Sequence, residues 1–319
     1  MENALKNFNK QFAWTPEIQN PQRLKSYSNF VVGGMGGSHL SAGLLQKLYP
    51  GKNIFIHRDY GLPEYTSNFL ASCLFIASSY SGNTEETVDF ARAAIARGYA
   101  VLVVTTGGAL LRLAAEHTLP YILLPNDGLQ PRVAIGYSLL ALATVISPEL
   151  LPDLKALSST LDPLVAKREA DKLLPSLRNH IPVIYTARPD RALGYNWKIK
   201  FNETAKIPAF CNVFPELNHN EMQGYDFVPR NQALSTHFHF IFLSGSVMSP
   251  RLLKRQTILA ELYRRRGLGV TQITMSGETV LLQIFNTLLI ADWLSVGLAH
   301  YYGVEPEAVP LIEDFKRQL

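Results

Sequence analysis

The sequence predicts an α/β protein made of two doubly wound αβα domains with parallel central sheets. Short apolar runs of strand length alternate with longer segments whose apolar residues recur at helical spacing, and that alternation predicts parallel sheets covered on both faces. Runs such as Cys73-Leu74-Phe75-Ile76-Ala77 are apolar throughout rather than at every second residue, as strands buried on both faces are. The chain has 319 residues, enough for two domains of ordinary size that each bury a core. The division falls in a proline-marked stretch, 148–157, giving domains 1–150 and 151–319.

In chain order, residues 1–26 are polar with scattered aromatics and predict an N-terminal helix and lead-in. Asn29-Phe30-Val31-Val32 is the first predicted strand, followed by the glycine-rich turn 33–38 and a helix over 39–49. Strands at 53–57 and 73–77, a helix at 84–97, a strand at 101–105, a helix at 108–117 and a strand at 121–124 continue the alternation. An apolar helix over 131–147 follows Pro131. Beyond the junction, 158–178 has the pattern of an amphipathic charged helix. A strand at 181–186, a helix at 190–205, an extended piece at 209–214, a strand at 239–243, a helix at 250–266 and a strand at 270–275 repeat the order. Helices over 279–301 and from about 306 to 318 close the chain.

Charged residues at 18% and hydrophobic residues at 47% describe a packed globular chain, not a disordered one. The net charge of +4 is dispersed. Its densest cluster, Arg264-Arg265-Arg266, has no interleaved aromatics and sits where a helix end favours cations, so no nucleic-acid partner is expected. Cys73 and Cys211 lie far apart in apolar runs and form no metal pattern, as for buried thiols in a reducing compartment. The N-terminus lacks the apolar core of a signal peptide. The most apolar stretch, 279–299, is interrupted by Gln283, Asn286 and Asp292, so a core helix is expected there and no membrane partner. The expectation is a cytoplasmic protein.

The stretch of greatest chemical content is Ser78-Ser79-Tyr80-Ser81-Gly82-Asn83-Thr84-Glu85-Glu86-Thr87, between a strand and a helix. Helix N-terminal N–H groups and the hydroxyls of Ser79, Ser81 and Thr84 suit a phosphate monoester on a small molecule. Asn83 three residues before Glu86 suggests a variant capping box. No G-x-x-x-x-G-K-[ST] is present, so the turn is not a nucleotide P-loop. Gly33-Gly34-Met35-Gly36-Gly37-Ser38 supplies two glycines of a dinucleotide fingerprint, with Asp59 near the spacing of a ribose ligand. His39 stands where the third glycine belongs, and Gly36, Gly37 and Ser38 suit better a second set of donors to the same phosphate.

S-Y-S-G-N-T-E-E-T resembles the phosphosugar-binding loop of SIS (sugar isomerase) domains, which are flavodoxin-like. With G-M-G-G-S some forty residues earlier, the chain resembles the bifunctional phosphoglucose/phosphomannose isomerases of archaea and bacteria along essentially its whole length. The resemblance implies an aldose–ketose isomerase that acts through a cis-enediol without metal or cofactor. Glu203, in F-N-E-x-A-K-I, then takes the proton-abstracting carboxylate's place, although a glutamate between Lys200 and Lys206 would otherwise pass for a solvated surface pair. His219, in P-E-x-x-H-N, takes the place of the ring-opening histidine donated across a homodimer interface. Arg132, after Pro131, is implied to lie over the enediolate, and Lys316 near the sugar ring. Glu221 is a rival base in the His219 loop, while His237 and His239 alternate along a strand as packing or surface residues.

Two positions depart from the family. Val309, before Pro310, stands where some members have a threonine linked to accepting mannose 6-phosphate; valine has no hydroxyl, which leaves that substrate open. His39 stands where many sugar-isomerase turns have glycine. The function implied is interconversion of glucose 6-phosphate and fructose 6-phosphate, with mannose 6-phosphate as the open second aldose. The alternative is a non-catalytic sugar-phosphate sensor, which would lack the catalytic set and would normally carry a DNA-binding module; none is visible. A glucosamine-6-phosphate synthase would need a glutaminase domain with an N-terminal cysteine, and the chain begins Met1-Glu2.

Overall fold

The structure, a computed structural model, describes residues 1–245 and 248–318. The elements are α1 (Glu2–Lys6), β1 (Ile18–Gln19), β2 (Asn29–Gly33), α2 (Leu40–Leu48), β3 (Asn53–His57), α3 (Ser67–Ala71), β4 (Cys73–Ser78), α4 (Glu85–Ala96), β5 (Ala100–Thr105), α5 (Gly108–Glu116), β6 (Tyr121–Leu123), α6 (Ile135–Ile146) and α7 (Leu151–Thr160). They continue with α8 (Pro163–Leu177), β7 (Ile181–Ala187), α9 (Arg191–Lys200), β8 (Phe210–Phe214), β9 (Phe238–Ser244), α10 (Pro250–Arg265), β10 (Gly269–Thr274), α11 (Val280–Tyr302) and α12 (Pro310–Lys316). The chain divides into two compact units, Phe8–Ser159 and Met1–Asn7 with Thr160–Leu319.

In the Phe8–Ser159 unit, the described residues form a six-stranded sheet in the order β1-β6-β5-β4-β2-β3. Every pairing is parallel except the two-residue β1, which lies antiparallel to β6 at one edge. That edge strand departs from the expected wholly parallel sheet. β4 is buried at every residue, and Phe75, Ala77, Phe90, Val101 and Val103 belong to the core it shares with α4 and β5. The chain runs from β2 outward to β3 and returns to β4 on the other side of β2, so the strand order reverses between β2 and β4. Ligands of open α/β sheets bind in the crevice outside the carboxyl ends at such a reversal. Gly33 pairs with Ala77 across it, and the two turns singled out in the sequence emerge side by side.

The second unit holds a parallel four-stranded sheet in the order β10-β9-β7-β8, with its reversal between β7 and β9. The piece at 209–214 is thus a full parallel strand. Tyr185, Phe214, Phe240, Phe242 and Tyr263 fill one face. α11 is long and apolar enough to cross a membrane, yet it is mostly buried within the protein, packed along α8. A buried Lys200–Asp292 ion pair at 2.5 Å ties α9 to α11.

The stretch read as a junction is helical. Pro148 and Pro152 sit in the first turns of a 3-10 helix and of α7, where proline's missing N–H costs nothing. The units meet in sequence at 159/160, later than the 150/151 division. The single helix expected over 158–178 is two: Asp162 accepts the Leu164 N–H at 2.9 Å and Pro163 begins α8. Arg264, Arg265 and Arg266 face Gln272, Glu261 and Asp226, as a solvated helix end does. Cys73 and Cys211 are free thiols, both pushed upward in pKa by burial.

Candidate active site

In the first unit, β2 runs through Gly34 and Met35 into a 3-10 turn, Gly36–His39, that opens into α2. Gly36 has φ +49°, which glycine takes at little cost. Gly34 is glycine for a packing reason: a Cβ there would lie 2.7 Å from the Ser78 carbonyl oxygen. Ser38 Oγ accepts the Tyr80 N–H at 3.0 Å, and Ser78 Oγ donates to the Ser38 carbonyl at 3.2 Å. One hydroxyl therefore braces the glycine turn against the serine turn and keeps its own proton for a ligand.

The second turn is set by its own side chains. Ser79 Oγ and Thr84 Oγ1 share a hydrogen bond at 2.9 Å, and Ser79 Oγ also accepts the Gly82 N–H at 3.2 Å. Gly82 has φ +69° and packs so closely on the Gly107 carbonyl that no side chain fits. The capping box expected from Asn83 and Glu86 does not form. Asn83 Oδ1 instead accepts the Ala109 N–H at 2.9 Å, fastening the turn to α5, and Thr84 is the N-cap residue of α4. No side chain caps α4, so its first-turn N–H groups stay open at its positive end. Ser81 is exposed on the same turn, and its Oγ accepts the Asn83 N–H at 3.3 Å.

Arg132 joins this constellation. It is 1% exposed and lies in the turn before α6 rather than in the helix itself. A Cβ on Gly37 would meet the Arg132 nitrogen at 2.8 Å, so the arginine's backbone rests directly on the glycine turn. Gln11, in a stretch read only as a lead-in, holds that arrangement. Its Nε2 donates to the Val133 carbonyl and its Oε1 accepts the Gly136 N–H, both at 3.0 Å, while Ser41 Oγ donates to the Ile135 carbonyl at 3.2 Å. A lone glutamine in a polar segment gives no sequence signal of such a role. His39 is buried, and burial with the nearby Arg58 charge lowers its pKa to about 4, so it adds no charge to the turn at neutral pH. Asp59, the residue weighed as a ribose ligand, accepts the Tyr60 N–H at 2.8 Å in an exposed turn.

The other predicted residues belong to the second unit. α9 passes at Phe201 into a π-helical turn, Phe201–Ala205, which carries the partly exposed Glu203. Single π turns inside α-helices are often found at functional sites. Lys206, in the left-handed conformation at φ +55°, donates Nζ to the Glu203 and Thr204 carbonyls at 2.9 and 3.2 Å and to the Glu305 carbonyl. Lys200 faces Asp292 in the core, so the pattern of a surface Glu203 between two lysines does not describe this helix. His219 is exposed at the end of a 3-10 turn, Glu216–His219, and Lys316 is exposed at the end of α12.

Glu221 has both oxygens engaged: Tyr185 donates its hydroxyl at 2.6 Å, and Asn212 Nδ2 donates to the other oxygen. Through these contacts Glu221 fastens the His219 loop to β7 and β8. Its charge, with burial the larger cause, raises the Tyr185 phenol's pKa. His239 is buried and Nε2 lies 2.8 Å from Thr271 Oγ1; burial, then His180, lowers its pKa to about 4.

Comparison with known proteins adds a second line. The model of the bacterial phospho-glucose isomerase C-terminal SIS domain matches residues 166–319. The bifunctional phosphoglucose/phosphomannose isomerase of Thermoplasma acidophilum is 34% identical over 302 residues, covering 93% of this chain and 91% of that protein. Its namesake from Aquifex aeolicus is 30% identical over 324 residues, covering 99% and 97%. In fold, the chain resembles the crystal structure of a hypothetical protein from Thermus thermophilus, with a TM-score of 0.70 at 16% identity, covering 99% of this chain and 86% of that one.

Proposed function

Because the chain belongs to the family of bifunctional phosphoglucose/phosphomannose isomerases, we propose that it interconverts glucose 6-phosphate and fructose 6-phosphate, and mannose 6-phosphate with fructose 6-phosphate. It is a sugar-phosphate isomerase of the SIS class. The observation that carries the reading is the pair of braced turns at the strand reversal, where uncapped helix N–H groups, hydroxyls and the backbone of Arg132 converge.

In this mechanism the phosphate dianion rests on Gly36, Gly37, Ser38, Ser79, Ser81 and Thr84. His219 moves a proton at the ring oxygen to open the hemiacetal, with Lys316 at the sugar oxygens. Glu203 removes the proton from C2 of the open aldose and returns it to C1 of the resulting cis-enediol, giving the ketose. Arg132 offsets the negative charge that builds on the enediolate oxygens. The exposed position of His219 supports a homodimer in which each subunit lends this histidine to the other. Rotation about C2–C3 in the enediol lets one base deliver a proton to either face, giving glucose or mannose. Val309 at the N-cap of α12 offers no hydroxyl, so the mannose product is expected in lower yield.

The test is a coupled assay that offers fructose 6-phosphate and scores both aldose products. Glu203→Gln should lower kcat by roughly a thousandfold with fructose 6-phosphate binding retained, within the range general bases contribute. Normal turnover by that variant would refute the base assignment. A chelator should leave the wild-type rate unchanged; a chelator-sensitive rate would refute the metal-free mechanism.

A further inference from the structure

The second unit contains a cavity of about 970 Å³ between α9 and the edge strand β8, and none of Glu203, His219 or Lys316 lines it. Arg191 and Lys198 stand two turns apart on one face of α9, and Arg188 lies just before that helix. The Arg188 and Arg191 side chains make no hydrogen bond or ion pair among the described residues, and Lys198 rests over the Tyr195 ring at 5.5 Å. Two carboxylates, Glu216 and Glu221, line the cavity with these three cations, so the cations outnumber the anions by one. Glu221 is held by Tyr185 and Asn212, and Glu216 accepts from Asn220 Nδ2 at 2.8 Å. Arg191 and Lys198 place enough positive field on Cys211 to oppose the upward push of burial on its thiol.

Surface arginines alone are ordinary. The floor of this cavity is not. Thr186, 1% exposed at the carboxyl end of β7, lines it, and its buried hydroxyl has no hydrogen-bond partner among the described residues. A buried hydroxyl left without a partner is costly to the fold unless something binds it. α9 also gives up a side chain above it: a Cβ on Gly194 would lie 3.0 Å from Thr186 Cγ2 and 3.5 Å from Oγ1. The missing side chain at Gly194 leaves only a thin layer of atoms between the cavity and that hydroxyl. Arginine forks match phosphate oxygens in pairs. Tyr195 and Phe210, the latter 52% exposed, add aromatic rings to the lining. The volume lies near the upper end of small-molecule sites, about 300–1,000 Å³.

We propose that this cavity is a second ligand site for a nucleoside diphosphate, its phosphates on Arg188, Arg191 and Lys198 and its base against Tyr195 and Phe210. Isothermal titration of the full-length enzyme with ADP and with inorganic pyrophosphate tests it. One ADP per chain is expected, with pyrophosphate about tenfold weaker for want of stacking. Arg191→Ala and Thr186→Val should each weaken ADP by roughly tenfold, with fructose 6-phosphate turnover and the ligand-free Tm retained. The Ser79→Ala/Thr84→Val variant should bind ADP as wild type does. Absence of ADP binding overturns the proposal, as does loss of binding in the loop variant, which would put the probe in the sugar-phosphate site. Equal affinity for ADP and pyrophosphate overturns the role of the rings. A change of subunit mass by light scattering in Arg191→Ala, with ADP affinity intact, would make the cavity an interface instead.

Discussion

The buried pair Lys200–Asp292 offers the sharpest test of how Glu203 is held. Lys200 ends α9, three residues before Glu203, and its side chain is 0% exposed, while that of Asp292 is 5% exposed. The nitrogen–oxygen separation is 2.5 Å. Removing one member leaves a charge in the core with its counter-ion gone, which costs about 3–5 kcal/mol. At about 2–4 °C per kcal/mol for a unit of this size, Lys200→Met or Asp292→Asn should lower Tm by roughly 6–20 °C. Replacing both by apolar residues, Lys200→Met/Asp292→Leu, removes both desolvation costs along with the attraction and should recover most of that loss. Urea titration of the four proteins in a double-mutant cycle measures the coupling. Single variants within about 1 kcal/mol of wild type, or a double variant whose loss is the sum of the singles, would refute the reasoning. Because α9 passes directly into the π turn, the double variant should also lose kcat more than it gains KM.

Two further outcomes follow from the same geometry. Ser79→Ala and Thr84→Val each remove one partner of the 2.9 Å hydroxyl pair and a donor to the phosphate, so each should raise KM for fructose 6-phosphate about tenfold. Steady-state kinetics decides this, and unchanged KM in both would move the phosphate off the turn. His239 has a pKa of about 4 in the fold against an ordinary 6.5, so between those values the unfolded chain binds its proton and the folded one does not. Stability from this group is present above 6.5 and is lost as pH falls towards 4, by up to about 3 kcal/mol. Urea midpoints at about pH 7 and about pH 5 should differ more for the wild type than for His239→Gln, and equal differences would remove His239 from the acid response.

What was legible in the sequence was local. The alternation of strands and helices and the run from Ser78 to Thr87 carry their chemistry in neighbouring residues, and the structure has them nearly where expected. The features that escaped depend on distant partners or on backbone alone. β1 is two residues long and shows no period, and it exists only because β6 offers an edge. Lys200 passed for a surface cation because its partner lies 92 residues away. The Glu221 anchor escaped because Tyr185, its donor, lies 36 residues upstream. Asn83 matched a cap by spacing, but a competing N–H at Ala109 took its oxygen. The π turn at Phe201–Ala205 leaves no mark on side-chain periodicity over so few residues.

The two units also differ in what their reversal points offer an anion. Both place a strand–turn–helix at the carboxyl ends of the reversing strands. In the first, glycines and hydroxyls fill the turns and leave donors facing outward. In the second, β7 runs into Arg188-Pro189-Asp190; Pro189 has no N–H to give, and the carboxylate of Asp190, 4% exposed, would lie 3.1 Å from a Cβ on Gly245 beyond β9. Asp190 lies on the β9 side of β7, so its carboxylate disfavours an anion at the reversal itself, whereas Arg188, Arg191 and Lys198 line the cavity on the β8 side. The fold supplies two equivalent crevices, and the residues in their turns favour the proposed sugar-phosphate site at the first.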